Sequence, residues 1–294
     1  MTNPSKKILV PIGFTDQSII ALQQAVRIAK ITNSDLYLIS VVELPSAIKK
    51  LFIDYESEVD KLKIKLRNRL NDLREKYCSE INNVETVVSS GKIYTEIVNC
   101  AKMIDAYLIV MGTDGSNKNS SNKLIGSNAN KVIRTAPCGV ITIKGKEFRE
   151  GCKTIVLPLD LQKETKEKVK IAIEFSKLWN SEIKVVSVLK DTDEFVRNKL
   201  ERNLNQVKKF ISDQNIVCTS ELLISDSSSR FFQTIVEYSI SVNADLIIIM
   251  TQQEDEFTLN FLGSNANYII KHSDIPVMSV RPVDKKDTST FGLR

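Results

Sequence analysis

The stretch "MGTDGSNKNSSNKLIGSNANKVI" runs from Met111 to Ile133, and a related stretch, "MTQQEDEFTLNFLGSNANYII", runs from Met250 to Ile270. The five letters GSNAN occur in both, but only the first copy carries two extra glycines near its start. Ungapped pairing extends over Gly126–Ile143 in the first copy and Gly263–Val280 in the second. A repeat of this kind indicates an internal duplication, with one passage in each half of the chain.

Short apolar runs occur in the same order in both halves. Because they are brief and rich in β-branched residues, they predict buried strands. In the first half they are Lys7–Ile12, Leu36–Val42, Val84–Ser89, Tyr107–Met111 and Gly139–Lys144, and in the second half Lys153–Asp160, Glu182–Leu189, Thr219–Ser225, Asp245–Met250 and Pro276–Val280.

Amphipathic stretches between these runs predict helices. In the first, Asp16 or Ser18 is expected to cap a helix that reaches about Lys30. One face of this helix carries the apolar residues Ile20, Leu22, Ala25, Val26 and Ala29. The other predicted helices of the first half are Glu56–Glu80, Ile93–Ile104 and Ser127–Arg134. The first of these three has a heptad-like apolar series at Val59, Leu62, Leu66, Leu70 and Leu73. Alternating strands and helices predict an α/β fold with parallel strands.

The two repeats predict two tandem domains, over residues 1–146 and 152–283. The join falls in the polar segment Lys144–Lys153, which contains two glycines. Each domain is expected to carry a five-stranded parallel sheet covered on both faces, because its strands are apolar almost throughout.

Composition indicates a soluble globular protein of 294 residues, 42% hydrophobic and 26% charged. The 41 basic and 36 acidic residues are mixed along the chain, so no nucleic-acid partner is expected. No run of 18 apolar residues predicts a membrane span, and the first residues lack a signal-peptide core. The five cysteines are widely spaced without a CxxC pair, which favours reduced thiols and a cytoplasmic location.

Common catalytic motifs do not occur. The chain has one histidine, His272, so an HExxH zinc site is excluded, and no GxSxG elbow supports serine chemistry. The segment "SSGK" at Ser89–Lys92 does not meet the P-loop pattern. The sequence therefore predicts a protein that is not an enzyme and has no catalytic residues or metal site.

Two roles are open for the glycines of the first copy. Gly112 and Gly115 follow the fourth strand, and Gly126 and Ser127 open a helix. Beyond the carboxyl ends of parallel strands, glycines and a helix N-terminus make a cradle for phosphate groups. The alternative is a glycine-rich turn followed by a capped helix, with Ser127 or Asn128 as the cap. Spacing alone leaves both open.

These residues resemble the universal stress protein family. The resemblance rests on the G-x2-G…G-[ST] pattern, on "ILVPIGFT" (Ile8–Thr15) and on "GSNANKVIRTAPCGVITI", and it covers nearly the whole chain as two tandem domains. It implies a Rossmann-like fold of the adenine nucleotide alpha hydrolase-like type. It also implies that some members bind ATP in this loop, whereas others bind no nucleotide.

Carried over position by position, the resemblance implies a site for ATP or a related adenine nucleotide in the N-terminal half only. The implied residues are Pro11, Ile12, Gly13, Val41, Met111, Gly112, Thr113, Gly115, Gly126, Ser127 and Asn128. Two departures stand out. Ten residues separate Gly115 from Gly126 rather than nine, and Gly13 stands where family members commonly carry Asp.

The second half departs in the opposite way. It keeps the carboxylate, Asp160, but Thr251 and Glu254 are taken to replace the two early glycines. The acidic run Glu254–Glu256 opposes a triphosphate, because like charges repel in a pocket. GSNAN is therefore expected to serve only folding there, with Ser264 capping the helix.

Two functions from different classes follow. The first is a stress-response regulatory module that binds an adenine nucleotide and acts by association rather than turnover. The second is a structural or partner-binding stress protein without nucleotide, and a slow ATP hydrolase is a weaker third. The halves are expected to pair as an intramolecular pseudo-dimer through their fifth strands, with a homodimer as a further level of assembly.

Overall fold

The structure is a computed structural model that describes residues 5–43, 55–113, 125–145, 148–160, 165–189, 193–225, 230–251 and 264–281. Strands and helices alternate through both halves. The first half contains β1 (Lys7–Pro11), α1 (Asp16–Thr32), β2 (Asp35–Val42), α2 (Tyr55–Tyr77), β3 (Val84–Ser90), α3 (Ile93–Met103), β4 (Leu108–Gly112), α4 (Ser127–Thr135) and β5 (Gly139–Ile143).

The second half repeats this order. It contains β6 (Thr154–Pro158), α5 (Thr165–Trp179), β7 (Glu182–Leu189), α6 (Glu194–Ser212), β8 (Cys218–Ile224), α7 (Phe231–Ser241), β9 (Leu246–Met250), α8 (Ser264–His272) and β10 (Val277–Val280). The α/β prediction is therefore confirmed, and every predicted strand is present with ends that differ by one or two residues.

Parallel pairing organises each half. In the first half the strand order is β3-β2-β1-β4-β5, and each neighbouring pair is parallel. In the second half β8, β7, β6 and β9 follow the same order with parallel pairs. The chain winds outwards in one direction from β1 through β2 to β3, and then in the other from β4 to β5. The topological switch point of the first half therefore lies between β1 and β4.

Helices cover both faces of these strands. Ile8, Leu9 and Val10 are consecutive in β1 and are fully buried. Because successive strand residues point to opposite faces, their joint burial requires cover on each side. The helices that contain the two GSNAN copies also correspond. Each of them, α4 and α8, has nine residues and begins at the serine of GSNAN.

The first helix begins with a cap that differs from the prediction. Thr15 is the N-cap, its side chain accepts from Ser18 N, and Ser18 Oγ accepts from Thr15 N. This reciprocal pair is a capping box in which Thr15 is the N-cap and Ser18 is the N3 residue, so the prediction that Asp16 or Ser18 is the cap was wrong. Asp16 stands in the first turn, where its charge favours the helix dipole.

The buried faces of the first two helices differ from the predicted sets. In α1, Leu22, Ala25 and Ala29 are buried as expected and Ile20 and Val26 are half-buried, whereas Ala21 and Ile28, outside the predicted set, are also buried. In α2, only Val59 and Leu70 of the heptad-like series are buried, whereas Leu62 is exposed and Leu66 and Leu73 are half-buried. A helix lying on a sheet buries a stripe, and the outer apolar positions stay at its margin.

The five cysteines are free thiols. Four of them are buried and Cys138 is half-buried. Burial raises the pKa of Cys78 to about 11 and that of Cys138 to about 12. At neutral pH these side chains are protonated and behave as small hydrophobic residues.

By density of contacts the chain divides into two compact units. The first comprises Met1–Gly151 together with Ile270–Met278, and the second Cys152–Ile269 together with Ser279–Arg294. Within the first unit, Thr142 Oγ1 donates to the carbonyl of Val277 at 3.1 Å. No helix in the described part of the chain has the length and apolarity needed to cross a membrane.

Candidate functional site

The carboxyl end of β1 forms one side of the switch point. Ile12 N donates to Ile39 O at 2.8 Å, and Ser40 Oγ donates to Ile12 O at 3.0 Å. These bonds fix the main chain up to Gly13, which is exposed. Among the residues that the structure describes, a Cβ added to Gly13 would meet nothing within 4 Å. These residues therefore leave the space beside Gly13 open.

Phe14 follows in a strained conformation. Its φ is 56°, in the left-handed region that bulky residues rarely adopt. The guanidinium carbon of Arg69, on α2, lies 3.8 Å from the centre of the Phe14 ring. This cation–π contact and the adjoining capping box at Thr15 hold the turn. Backbone strain of this kind is concentrated at functional sites, so the turn after β1 is a candidate site by geometry as well as by topology.

The carboxyl end of β4 forms the other side. A Cβ on Gly112 would lie 3.0 Å from Gln17 Cβ and 3.2 Å from the Gln17 carbonyl carbon, both on α1. A side chain at position 112 would therefore crowd α1, and glycine allows the close packing of α1 on β4. This is a structural reason for the glycine that spacing did not reveal, and it is separate from phosphate contact.

Thr113 is 2% exposed and links three elements. Its N–H donates to Ile143 O at 3.0 Å, and its carbonyl accepts from Gly126 N at 2.8 Å. Thr113 Oγ1 donates to Gln17 Oε1 at 3.3 Å, while Gln17 Nε2 donates to Lys144 O at 2.8 Å. The N–H groups of Thr113 and Gly126 are thus bonded within the protein. A ligand at this edge would have to use other amides, such as those of residues 127–129.

The amino end of α4 lies next to β4 through the Gly126–Thr113 bond. Gly126 is the N-cap and makes no side-chain cap bond. The first intrahelical bond runs from Asn130 N to Gly126 O, so the amides of residues 127–129 have no partner within the helix. Ser127 is the first helical residue and is exposed, and Asn128 is half-buried. The prediction that Ser127 or Asn128 caps the helix was wrong.

The remaining predicted site residues lie at the same edge of the sheet. Pro11 and Val41 are half-buried at the carboxyl ends of β1 and β2, and Met111 is buried beside Gly112 in β4. Gly115 lies outside the described residues. Apart from Gly115, the structure thus places the predicted residues at the carboxyl ends of β1, β2 and β4 and at the start of α4.

Strand register corrects the comparison of the two halves. Ile8 pairs with Leu108 in the first half, and Ile155 pairs with Leu246 in the second. Counting along β4 and β9 from these pairs, Gly112 corresponds to Met250. Thr113 then corresponds to Thr251, which is likewise 2% exposed and donates its N–H to the carbonyl of Val280 at 2.9 Å. The assignment of Thr251 to the place of Gly112 was therefore one residue out of register.

The second half has its own side chains at the equivalent edge. Lys168 on α5 is buried, and its ammonium donates to the carbonyl of Pro158 at 2.6 Å. Asn203 Nδ2 donates to the carbonyl of Asp160 at 3.2 Å. The acidic run Glu254–Glu256 lies outside the described residues.

Sequence reasoning missed Phe14, Arg69 and Lys168. Phe14 stands inside the quoted strand motif, but its left-handed backbone has no sequence signal. Arg69 and Lys168 lie on helices among many other basic residues, and only the fold brings them to the ends of β1 and β6. Among the described residues, no group of three His, Cys, Asp or Glu side chains is placed to hold a metal ion.

Comparisons with known proteins show which family this chain resembles. The model of the universal stress protein family matches residues 4–144 and 229–281. A universal stress protein of Methanocaldococcus jannaschii is 32% identical over 143 residues, covering 48% of this chain and 84% of the relative. The universal stress protein YxiE of Bacillus subtilis is 27% identical over 146 residues, covering 47% and 98%.

A solved structure spans both halves. The crystal structure of a universal stress protein from Archaeoglobus fulgidus is similar with a TM-score of 0.78 and 18% identity. The match covers 95% of this chain and 99% of that chain. At this identity the likeness establishes the fold, with both α/β halves in one chain.

Proposed function

Because this chain belongs to the universal stress protein family, we propose that it is a stress-response regulatory protein that binds ATP or a related adenine nucleotide in its N-terminal half. It acts by binding and association rather than by turnover. The observation that carries the proposal is the uncapped amino end of α4 at the switch point between β1 and β4.

The proposed site has the properties that a nucleotide phosphate requires. The amides of residues 127–129 lie at the positive end of the α4 dipole. Gly13 leaves open space at the end of the neighbouring strand, suited to the nucleoside. Hydrogen bonds through Thr113 and Gln17 hold the end of β4, and the bonds of Ile12 with Ile39 and Ser40 hold the end of β1.

We expect one nucleotide per chain. Protein purified without added nucleotide and then denatured should release an adenine nucleotide that mass spectrometry identifies. Titration calorimetry of the emptied protein with ATP should give a stoichiometry near one. A stoichiometry of two would place a site in the second half also, and an absence of both released ligand and binding heat would exclude the proposal.

One observation favours a nucleotide-free role instead. Packing against α1 accounts for Gly112, and the protein itself uses the N–H groups of Thr113 and Gly126. These features suit a fold that keeps its glycine for structural reasons. In that case the chain is a structural or partner-binding stress protein, and the same calorimetry distinguishes the two functions.

We propose in addition that the halves pair through their fifth strands as an intramolecular pseudo-dimer. Within the first compact unit, Thr142 bonds to Val277, and the Lys144 ammonium lies 3.3 Å from an Asp274 carboxylate oxygen. Pairing removes the exposed edge of an outer strand. A second chain then adds on an outer surface to form a homodimer.

Hydrogen exchange tests this pairing. If β5 is paired, all amides of residues 140–143 should exchange only with global unfolding, as central strands do. Rapid exchange at alternate amides of β5 would reveal an open edge and would contradict the pairing. Amides of β1 provide the internal reference, since that strand pairs with both β2 and β4.

A further inference from the structure

The two halves differ in charge at the end of their first strands. Gly13 and Asp160 occupy equivalent positions, because Ile12 and Leu159, which precede them, bond alike. Ile12 N donates to Ile39 O, and Leu159 N donates to Val186 O at 2.7 Å. The first half therefore lacks a carboxylate at the place where the second half has one, and no atom of the described residues lies within 4 Å of that place.

A second difference accompanies the first. Arg69 and Asn203 each precede a buried leucine on the helix after the second strand, and each contacts the turn that follows the first strand. In the second half the contact is the neutral amide of Asn203 on the Asp160 carbonyl. In the first half it is the guanidinium of Arg69 over Phe14. The second half thus has a carboxylate at this strand end, with the Asn203 amide and the Lys168 ammonium bonded to the main chain there. The first half has no side chain at position 13 and has the Arg69 guanidinium over the following residue.

This exchange has a chemical meaning in nucleotide-binding α/β folds. A carboxylate near a strand end accepts hydrogen bonds from ribose hydroxyls, whereas an arginine accommodates a phosphate on the ribose. A guanidinium stacked on a ring keeps its N–H groups in the plane, where they bind phosphate oxygens in pairs. Phe14 thus orients the guanidinium of Arg69 through its face, and this contact does not use the N–H donors of the guanidinium.

We infer that the first half prefers an adenine nucleotide that carries a phosphate group on its ribose, with Arg69 as the residue that binds this phosphate and Gly13 as the gap that admits it. The inference rests on the proposed adenine-nucleotide function and specifies its ligand class. The 5′-phosphate lies at the amino end of α4, and the ribose phosphate lies on the side of α2.

Calorimetry with a matched set of ligands tests the inference on the full-length protein. The probes are AMP, ATP, adenosine 2′,5′-bisphosphate and adenosine 3′,5′-bisphosphate. One of the two bisphosphates should bind about 10- to 100-fold more tightly than AMP, as a charge-assisted paired contact does. In Arg69→Met the ratio of these affinities should fall to about one.

Two further variants separate the role of Arg69 from net charge and from folding. Arg67→Met removes one exposed positive charge from the same helix and should leave the ratio unchanged. Gly13→Asp restores the carboxylate, in open space and at an ordinary φ, and should lower bisphosphate affinity relative to AMP. This variant keeps both Arg69 and Phe14, so it tests the site even if Arg69→Met destabilises the turn.

Each outcome has one meaning. If none of the four ligands binds, the proposed nucleotide function fails and this inference fails with it. If AMP or ATP binds but the bisphosphates bind no more tightly than AMP, the function stands and the ribose-phosphate inference is overturned. A high ratio that persists in Arg69→Met would overturn the assignment to Arg69.

Discussion

Replacing Ser127 with glutamate is expected to abolish ATP binding while leaving the protein folded. Ser127 is exposed at the first position of α4, beside the amides that we propose bind phosphate. A carboxylate there competes for those amides and repels the triphosphate, so the affinity should fall at least ~100-fold, equivalent to ~3 kcal/mol. Calorimetry measures the loss directly.

The same substitution should not harm the helix, which makes the test specific. An acidic side chain in the first turn stabilises a helix by about 0.3–1 kcal/mol through the dipole. Urea unfolding should therefore give an equal or slightly larger free energy. The control is Ser127→Gln, because glutamine has the same length as glutamate but no charge, and this variant should retain ATP binding. Unchanged affinity in Ser127→Glu would exclude phosphate contact at α4.

Gly112→Ala should destabilise the fold, whereas Gly13→Ala should not. The added methyl at position 112 would lie 3.0–3.2 Å from atoms of Gln17, one of them in the main chain of α1. Overpacking of this kind costs about 1–3 kcal/mol. At position 13 the methyl meets no atom of the described residues within 4 Å, and the loss of chain entropy in the unfolded state favours folding by about 0.4–1 kcal/mol.

Urea titration of both variants gives the comparison. The midpoint should fall for Gly112→Ala and stay the same or rise slightly for Gly13→Ala, with unchanged slopes. Equal destabilisation of the two variants would mean that α1 adjusts to the added methyl and that packing does not explain Gly112. Gly112→Ala is therefore a poor test of nucleotide binding, because its effect on the fold precedes any effect on a ligand.

The strands were predictable because a strand that is buried on both faces has a continuous apolar run in its sequence. The sequence "KILVPI" predicts β1, and the strand is found at Lys7–Pro11. The switch point follows from strand order, which the repeated α/β pattern and the family resemblance together imply. Sequence also located the amino end of α4, since the serine of GSNAN begins that helix.

What sequence did not predict depends on contacts between distant residues. Arg69 reaches Phe14 across fifty-four intervening residues, and no local pattern distinguishes it from Arg67 or Arg74. The N-cap at Thr15 was missed because Thr, Asp and Ser at neighbouring positions are all good caps, and only backbone angles decide between them. The packing role of Gly112 required the position of α1.

The division of the chain into units has a consequence for biosynthesis. The first unit includes Ile270–Met278, which are translated only after the intervening residues 152–269 of the second unit. An N-terminal domain ordinarily folds as a unit while the rest of the chain is still on the ribosome. Here the bond from Thr142 to Val277 forms only after the residues between them, which include most of the second unit, have been made. Nascent chains that stall inside the second half would therefore carry a first half whose final contacts are missing, and such chains are natural substrates for chaperones.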